Sequence, residues 1–232
     1  MSTSALLAVA EQAARAAGAV LLERFGGPER DVRAKSTPTD LVSEADIAAE
    51  RALRAVLTEQ RPDDSVLGEE GGDRGAGTSG VRWIVDPLDG TVNFLFGIPQ
   101  WAVSVACEDG DGPLVGLILD PTRDETFAAT RDGPATRDGE PLGGSERGSL
   151  ETAMVATGFA YDAEVRAAQA EVAARVLPRV RDLRRMGSAA LDLAWTACWL
   201  PRRASWSPCT SSSARKERAF RPAQRMSYFS GR

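Results

Sequence analysis

The stretch Trp83-Ile-Val-Asp86-Pro-Leu-Asp89-Gly-Thr91-Val-Asn93-Phe94 restricts the fold more than any other part of the chain. Trp83–Val85 is an apolar run of strand-forming residues that ends on a carboxylate. Pro87 has no N–H to give a sheet ladder, which predicts that the strand stops at Asp86. Asp89, Gly90 and Thr91 then have the composition of a turn opening into a short helix. Two carboxylates at i and i+3 around such a turn can converge on one cation. The backbone N–H groups of Gly90 and Thr91 would face the same space, and N–H groups at a helix start can hold phosphate. The same residues also suit a plain turn with Asp89 as a helix cap.

Two other segments set acids beside turns: Gly68-Glu69-Glu70-Gly71-Gly72, and the series Lys35, Asp40, Asp46. Taken singly, Glu69-Glu70 reads as a solvated pair, Asp46 as a cap and Lys35 as a loop charge. Taken in order with residues 83–94, they favour one shared site. The chain contains no histidine. That excludes Ser-His and Cys-His nucleophiles and the usual zinc centres. Catalysis must therefore use carboxylates, hydroxyls, lysine or a bound ion, and oxygen ligands suit hard cations such as magnesium.

Around these segments the periodicity predicts layered α and β structure. Helices are expected over 4–25 and 43–60, the second opened by a capping-box spacing of Ser43 and Asp46. Strands are expected at 65–68, 82–85, 101–107, 114–119 and 125–130. Turns at Glu108–Pro113, Asp132-Gly133 and Asp138-Gly139 suggest a mainly antiparallel meander. Beyond it come a strand at 154–157, a helix at 162–177, a strand at 181–185 and a helix from 188. No run approaches roughly 18 unbroken apolar residues, and no basic-then-apolar leader opens the chain. The three cysteines lack metal or disulfide spacing. A reducing cytoplasm is the expected location, with no membrane partner.

Residues 83–94 resemble the inositol monophosphatase family, whose signature W-I-x-D-P-[IL]-D-G-T-x-N-F they match at every defined position. Gly68-Glu69-Glu70, the K-[ST]-x-x-D-x-V-[ST]-x-x-D pattern from Lys35 through Asp46, and Arg184–Leu193 match further family segments. The resemblance spans about residues 1–197. It implies a five-layer α-β-α-β-α sandwich, often dimeric, that hydrolyses a phosphate ester with two or three Mg2+ ions. It assigns Glu69, Asp86 and the Leu88 carbonyl to one ion, and Asp86 with Asp89 to a second. Thr91 with Asp46, alongside Glu69, would ready the attacking water. Gly90, Thr91, Lys35, Asp40, Gly187 and Ser188 would meet the substrate, although Gly187-Ser188 equally suits a tight helix start. Myo-inositol monophosphate leads as substrate. Histidinol phosphate, fructose 1,6-bisphosphate and phosphoadenosine nucleotides are alternatives within the same chemistry. A haloacid-dehalogenase mechanism is set aside, because it needs acids two apart and Asp86 and Asp89 are three apart.

The resemblance stops near Cys198. Family members go on to a Trp-Asp motif that completes the second metal site, whereas no aspartate follows Asp192 here. Residues 198–232 carry eight Lys/Arg and one acid, Glu217, against an overall charge of −5. Two domains are therefore expected: a phosphatase domain over 1–197, lacking its C-terminal part, and a basic, disordered tail over 198–232. A reading-frame shift near codon 198 would account for the tail, and an impaired second cation site would follow. The acidic body argues against nucleic acid as a general partner. A non-catalytic relative that touches RNA or the transcription machinery is the competing class, since some bacterial members are reported to do so.

Overall fold

The computed structural model describes residues 2–27, 33–34, 41–42, 44–68, 72–74, 77–142, 149–198 and 226–229, with the backbone alone for 33–34, 41–42, 72–74 and 226–229. The chain divides into two compact units, Met1–Pro141 and Leu142–Arg232. That division falls inside the 1–197 span, at a point the sequence did not mark.

The first unit opens with helix α1 (Thr3–Arg24). Strands β1 (Arg33–Ala34) and β2 (Leu41–Val42) form a small antiparallel pair, and helix α2 (Glu44–Gln60) follows. Strands β3 (Ser65–Gly68), β4 (Gly72–Arg74) and β5 (Arg82–Asp89) lead to the short helix α3 (Thr91–Leu95). A meander completes the unit: β6 (Ala102–Asp109), β7 (Gly112–Asp120), β8 (Glu125–Thr130), β9 (Thr136–Arg137) and β10 (Glu140–Pro141). The eight strands β3–β10 lie in the order β10-β9-β8-β7-β6-β5-β3-β4. Every neighbouring pair is antiparallel except β3 with β5, which run parallel. The Asp138-Gly139 turn joins β9 to β10 with φ of +50° and +81°, the positive pair that a two-residue hairpin favours.

Helices and sheet meet through small residues. On α1, Ala10, Ala13, Ala14 and Ala17 are fully buried at helical spacing, with Leu6 and Leu21 at the two ends of the stripe. With no bulk at these positions, α1 lies close to α2, β6 and β7. Leu53 and Leu57 of α2 join Trp83, Val85, Val103, Val105, Leu117 and Leu119 of the sheet in one core. By length and a mean hydropathy of 1.5, α1 could cross a membrane. Its apolar face is spent in this core instead.

The second unit holds a turn of 3-10 helix at Leu150–Thr152, β11 (Met154–Thr157), α4 (Ala163–Val176), a further 3-10 turn at Leu177–Arg179, β12 (Asp182–Arg184), α5 (Ala189–Cys198) and β13 (Met226–Phe229). β11 is central and runs parallel to both neighbours. Asp162 caps α4 by accepting the N–H groups of Glu164 and Val165, each at 2.9 Å. Residues 198–232 show no sustained period, yet four of them pair as β13. The other residues from 199 onward lie outside the described set.

Candidate metal centre

The site grows from the end of β5. The expected stop at Asp86 is not what forms: β5 continues through Pro87 and Leu88 to Asp89. Proline is accommodated because the ladder with β6 skips there. Asp86 opposes Ser104 and Asp89 opposes Ala102, so an i+3 step on β5 faces an i+2 step on β6. One extra residue is thus inserted, which is a bulge. In a regular strand, residues three apart project to opposite faces. The inserted residue cancels that odd step and sets Asp86 and Asp89 opposite two positions on one face of β6. Asp86 Oδ1 also accepts the Leu88 N–H at 3.1 Å, which holds the bulge. Both carboxylates are half-buried.

Gly90 then turns the chain with φ +99°. A Cβ at this position would lie 3.0 Å from the Gln100 carbonyl oxygen and 3.2 Å from Trp101 Cα, so glycine is required on both counts. α3 starts at once, and the first N–H groups of a helix have no partner within it. Thr91 Oγ1 sits 3.0 Å from the Leu88 carbonyl oxygen and 3.2 Å from Asp46 Oδ1. Asp46 comes from the first turn of α2 and is only 3% exposed. A carboxylate so deeply placed needs a hydrogen-bond donor, and the threonine hydroxyl supplies one.

The remaining signature residues are anchors. Asn93 Nδ2 donates to the Gln100 carbonyl at 2.7 Å, and the Ile98 N–H donates to the Asn93 carbonyl at 2.8 Å. Phe94 packs edge-on against Trp101 at 5.3 Å between ring centres, and Phe25 of the α1 C-cap closes the cluster. At the opposite end of β5, Trp83 Nε1 donates to Asp64 Oδ2 at 2.8 Å. Arg61 forks onto the same carboxylate at 2.7 and 2.8 Å, and Ser79 donates at 2.6 Å. Burial alone would raise the Asp64 carboxyl. The donors from Arg61, Ser79 and Trp83 outweigh it and hold the group below the usual carboxylate range. Neither Asp64 nor Arg61 was singled out in the sequence. The signal was present all the same: a buried tryptophan N–H usually finds an acceptor.

Of the expected site residues, Asp46, Asp86, Leu88, Asp89, Gly90 and Thr91 stand along the end of β5 and the facing turn of α2. Lys35, Asp40, Ser43 and Glu69 lie outside the described residues. Gly187 and Ser188 belong to the second unit. Ser188 is fully buried there, and its hydroxyl accepts the Leu191 N–H at 3.3 Å, which is the helix-start role. Among the described residues no three His, Cys, Asp or Glu side chains gather into a metal cage. The donors at the end of β5 are two carboxylates and one carbonyl, all oxygen. Mg2+ fits such a set, because it binds through one or two carboxylates and completes its shell with water and phosphate.

Comparison with known proteins bears on the family and the fold. Residues 2–199 match the model of the inositol monophosphatase family. The chain is 42% identical over 190 residues to a Mycobacterium bovis protein named inositol-1-monophosphatase, covering 76% of this chain and 63% of that relative. It is 38% identical over 188 residues to a Xylella fastidiosa protein named Nus factor SuhB, covering 81% and 68%. The solved structure of the extragenic suppressor protein suhB from Bartonella henselae superposes with a TM-score of 0.78 at 37% identity, covering 84% of this chain and 75% of that one. The mixed α/β fold expected from the sequence is therefore the fold observed. The chain spans less than two thirds of the length of the mycobacterial relative.

Proposed function

Because the chain belongs to the inositol monophosphatase family, we propose that it is a magnesium-dependent phosphatase that hydrolyses a phosphate monoester, with myo-inositol monophosphate as the favoured substrate. The observation that carries this reading is the bulge that sets Asp86 and Asp89 on one side of β5, next to the Leu88 carbonyl and the Thr91–Asp46 pair. On this reading Asp86, Asp89 and the Leu88 carbonyl hold magnesium, joined by Glu69. Bound magnesium supplies charge neutralisation of the phosphate and acidifies water. The Thr91 hydroxyl carries a single proton. As that proton passes to Asp46 Oδ1, Oγ1 takes a proton from an attacking water, so the carboxylate ends with the proton and the threonine stays neutral. The water oxygen bonds to phosphorus, the ester P–O bond breaks, and the leaving alkoxide takes a proton from solvent. The Gly90 and Thr91 N–H groups donate to the phosphate, and Lys35 and Asp40 are assigned to the substrate side. The reaction is placed in the cytoplasm.

Phosphate release from a panel of inositol, histidinol, fructose and adenosine phosphates, with and without Mg2+, tests the proposal. Release that needs Mg2+ and falls in Asp89→Asn supports it, whereas no release from any ester at saturating Mg2+ overturns it. The identity to a Nus factor favours a second reading, a protein that binds RNA-processing machinery without catalysis. Salt-dependent retention of RNA by a chain that releases no phosphate would select that reading.

A further inference from the structure

Helix α2 turns two acids toward the protein interior, and only one of them is part of the proposed site. Asp46 meets Thr91, while Glu50 lies one turn further on and is 5% exposed. Acids almost never sit that deep without a partner. Glu50 Oε1 accepts Arg54 Nε at 2.7 Å. Arg54 Nη1 also reaches the Val66 carbonyl of β3 at 3.4 Å. The pair lies directly beneath Gly68, the last residue of β3, and a Cβ there would collide with Glu50 Oε1 and Arg54 Nη2. The glycine before Glu69-Glu70 is thus explained by the space this ion pair occupies. Gly68 stands opposite Val85 in the parallel register, and Asp86 follows Val85 on β5.

Resting on the cation-site reading above, we infer that Glu50 and Arg54 are positioning residues for the metal centre. They fix the end of β3, whose last residue pairs with Val85, the neighbour of Asp86 on β5. A buried ion pair is weak as a source of net stability, since desolvation offsets its attraction. Its directional hydrogen bonds still hold backbone and helix in one register. Asp46, Glu50 and Arg54 occur at successive i+4 steps. One face of α2 therefore serves the water-activating pair and the strand end together.

Calorimetric titration of the whole chain with MgCl2, without substrate, tests the inference, run beside a thermal melt and a kcat and KM measurement at saturating Mg2+. Arg54→Lys keeps the charge and loses the fork, and Gly68→Ala displaces the flexible tips of the pair. Each is expected to weaken Mg2+ binding at least tenfold, while kcat at saturating Mg2+ falls less. Glu50→Asp, which retains a carboxylate for Arg54, is expected to weaken Mg2+ binding less than either of them. Ser79→Ala, at the far end of β5, serves as the control for general destabilisation and should bind Mg2+ as the parent does. Unchanged Mg2+ affinity in both Arg54→Lys and Gly68→Ala, with only the melting temperature lowered, would overturn the positioning role and leave the cation site standing. A parent chain that binds no Mg2+ would overturn both.

Discussion

Strand β5 has a buried or half-buried carboxylate site at each end, and the two are built in opposite ways. At its start Asp64 is enclosed by the Arg61 fork, Ser79 and the Trp83 indole, so its charge is matched and its oxygens are filled by protein donors. At its end Asp86 and Asp89 are brought to one face by a bulge, beside a carbonyl and a threonine hydroxyl that already serves Asp46. A carboxylate neutralised by a guanidinium has little left to offer a cation. Two carboxylates set together repel one another, and a divalent ion relieves that repulsion. The family signature spans both ends: its tryptophan belongs to the first and its aspartates to the second.

The sharpest way to break this contrast is Arg61→Met. It leaves the Asp64 charge buried against Trp83 and should cost about 3–5 kcal/mol in urea unfolding. Mg2+ affinity of the folded fraction should be unchanged. Next in size, Asp86→Asn should lower Mg2+-dependent phosphate release by roughly 100- to 1000-fold, the scale of losing one preorganised charge at a reacting centre. The urea midpoint should move little or rise. Thr91→Ala should reduce kcat by about 100-fold, within the range for a lost proton-transfer group. Magnesium should still bind in calorimetry, which separates water activation from cation binding. Ser79→Ala removes one of four donors to Asp64 and should cost about 1 kcal/mol, with catalysis unaffected.

Acid distinguishes the two ends by pH alone. The folded Asp64 carboxyl titrates below its unfolded value. Its contribution to stability is therefore fully present above the ordinary carboxylate pKa of about 3.9, and is lost as pH falls through the lower folded value. Urea midpoints taken from pH 6 down to pH 2.5 should fall more steeply for the parent than for Asp64→Asn. Parallel curves would remove the special status of this carboxylate.

Much of the first unit was legible because its signals are local. Helical spacing of alanine and leucine marked α1, and Asp-Gly turns marked the hairpins, including the positive-φ turn at Asp138-Gly139. The acids of 83–94 were legible as a group for the same reason. The course of β5 was misread because proline was judged against a regular ladder. A bulge exists only when a partner strand is there to skip, and that partner, β6, was invisible to a reading of β5 alone. Asp64 went unnoticed because its partner Trp83 lies 19 residues away. Glu50 and Arg54 show their role only in the fold, where Gly68 of β3 lies over the pair.

From its order of residues alone, this protein's longer helices, most strands of its meander and its family were determined, since each depends on a few neighbouring positions. Which oxygens face one another was decided only by the folded chain. The bulge opposite β6, the reach from Asp46 to Thr91 across 45 residues, and the seating of Gly68 on the Glu50–Arg54 pair all join segments distant in sequence. Such pairings are selected by the packing of the whole sheet against α1 and α2, and no local pattern carries that information.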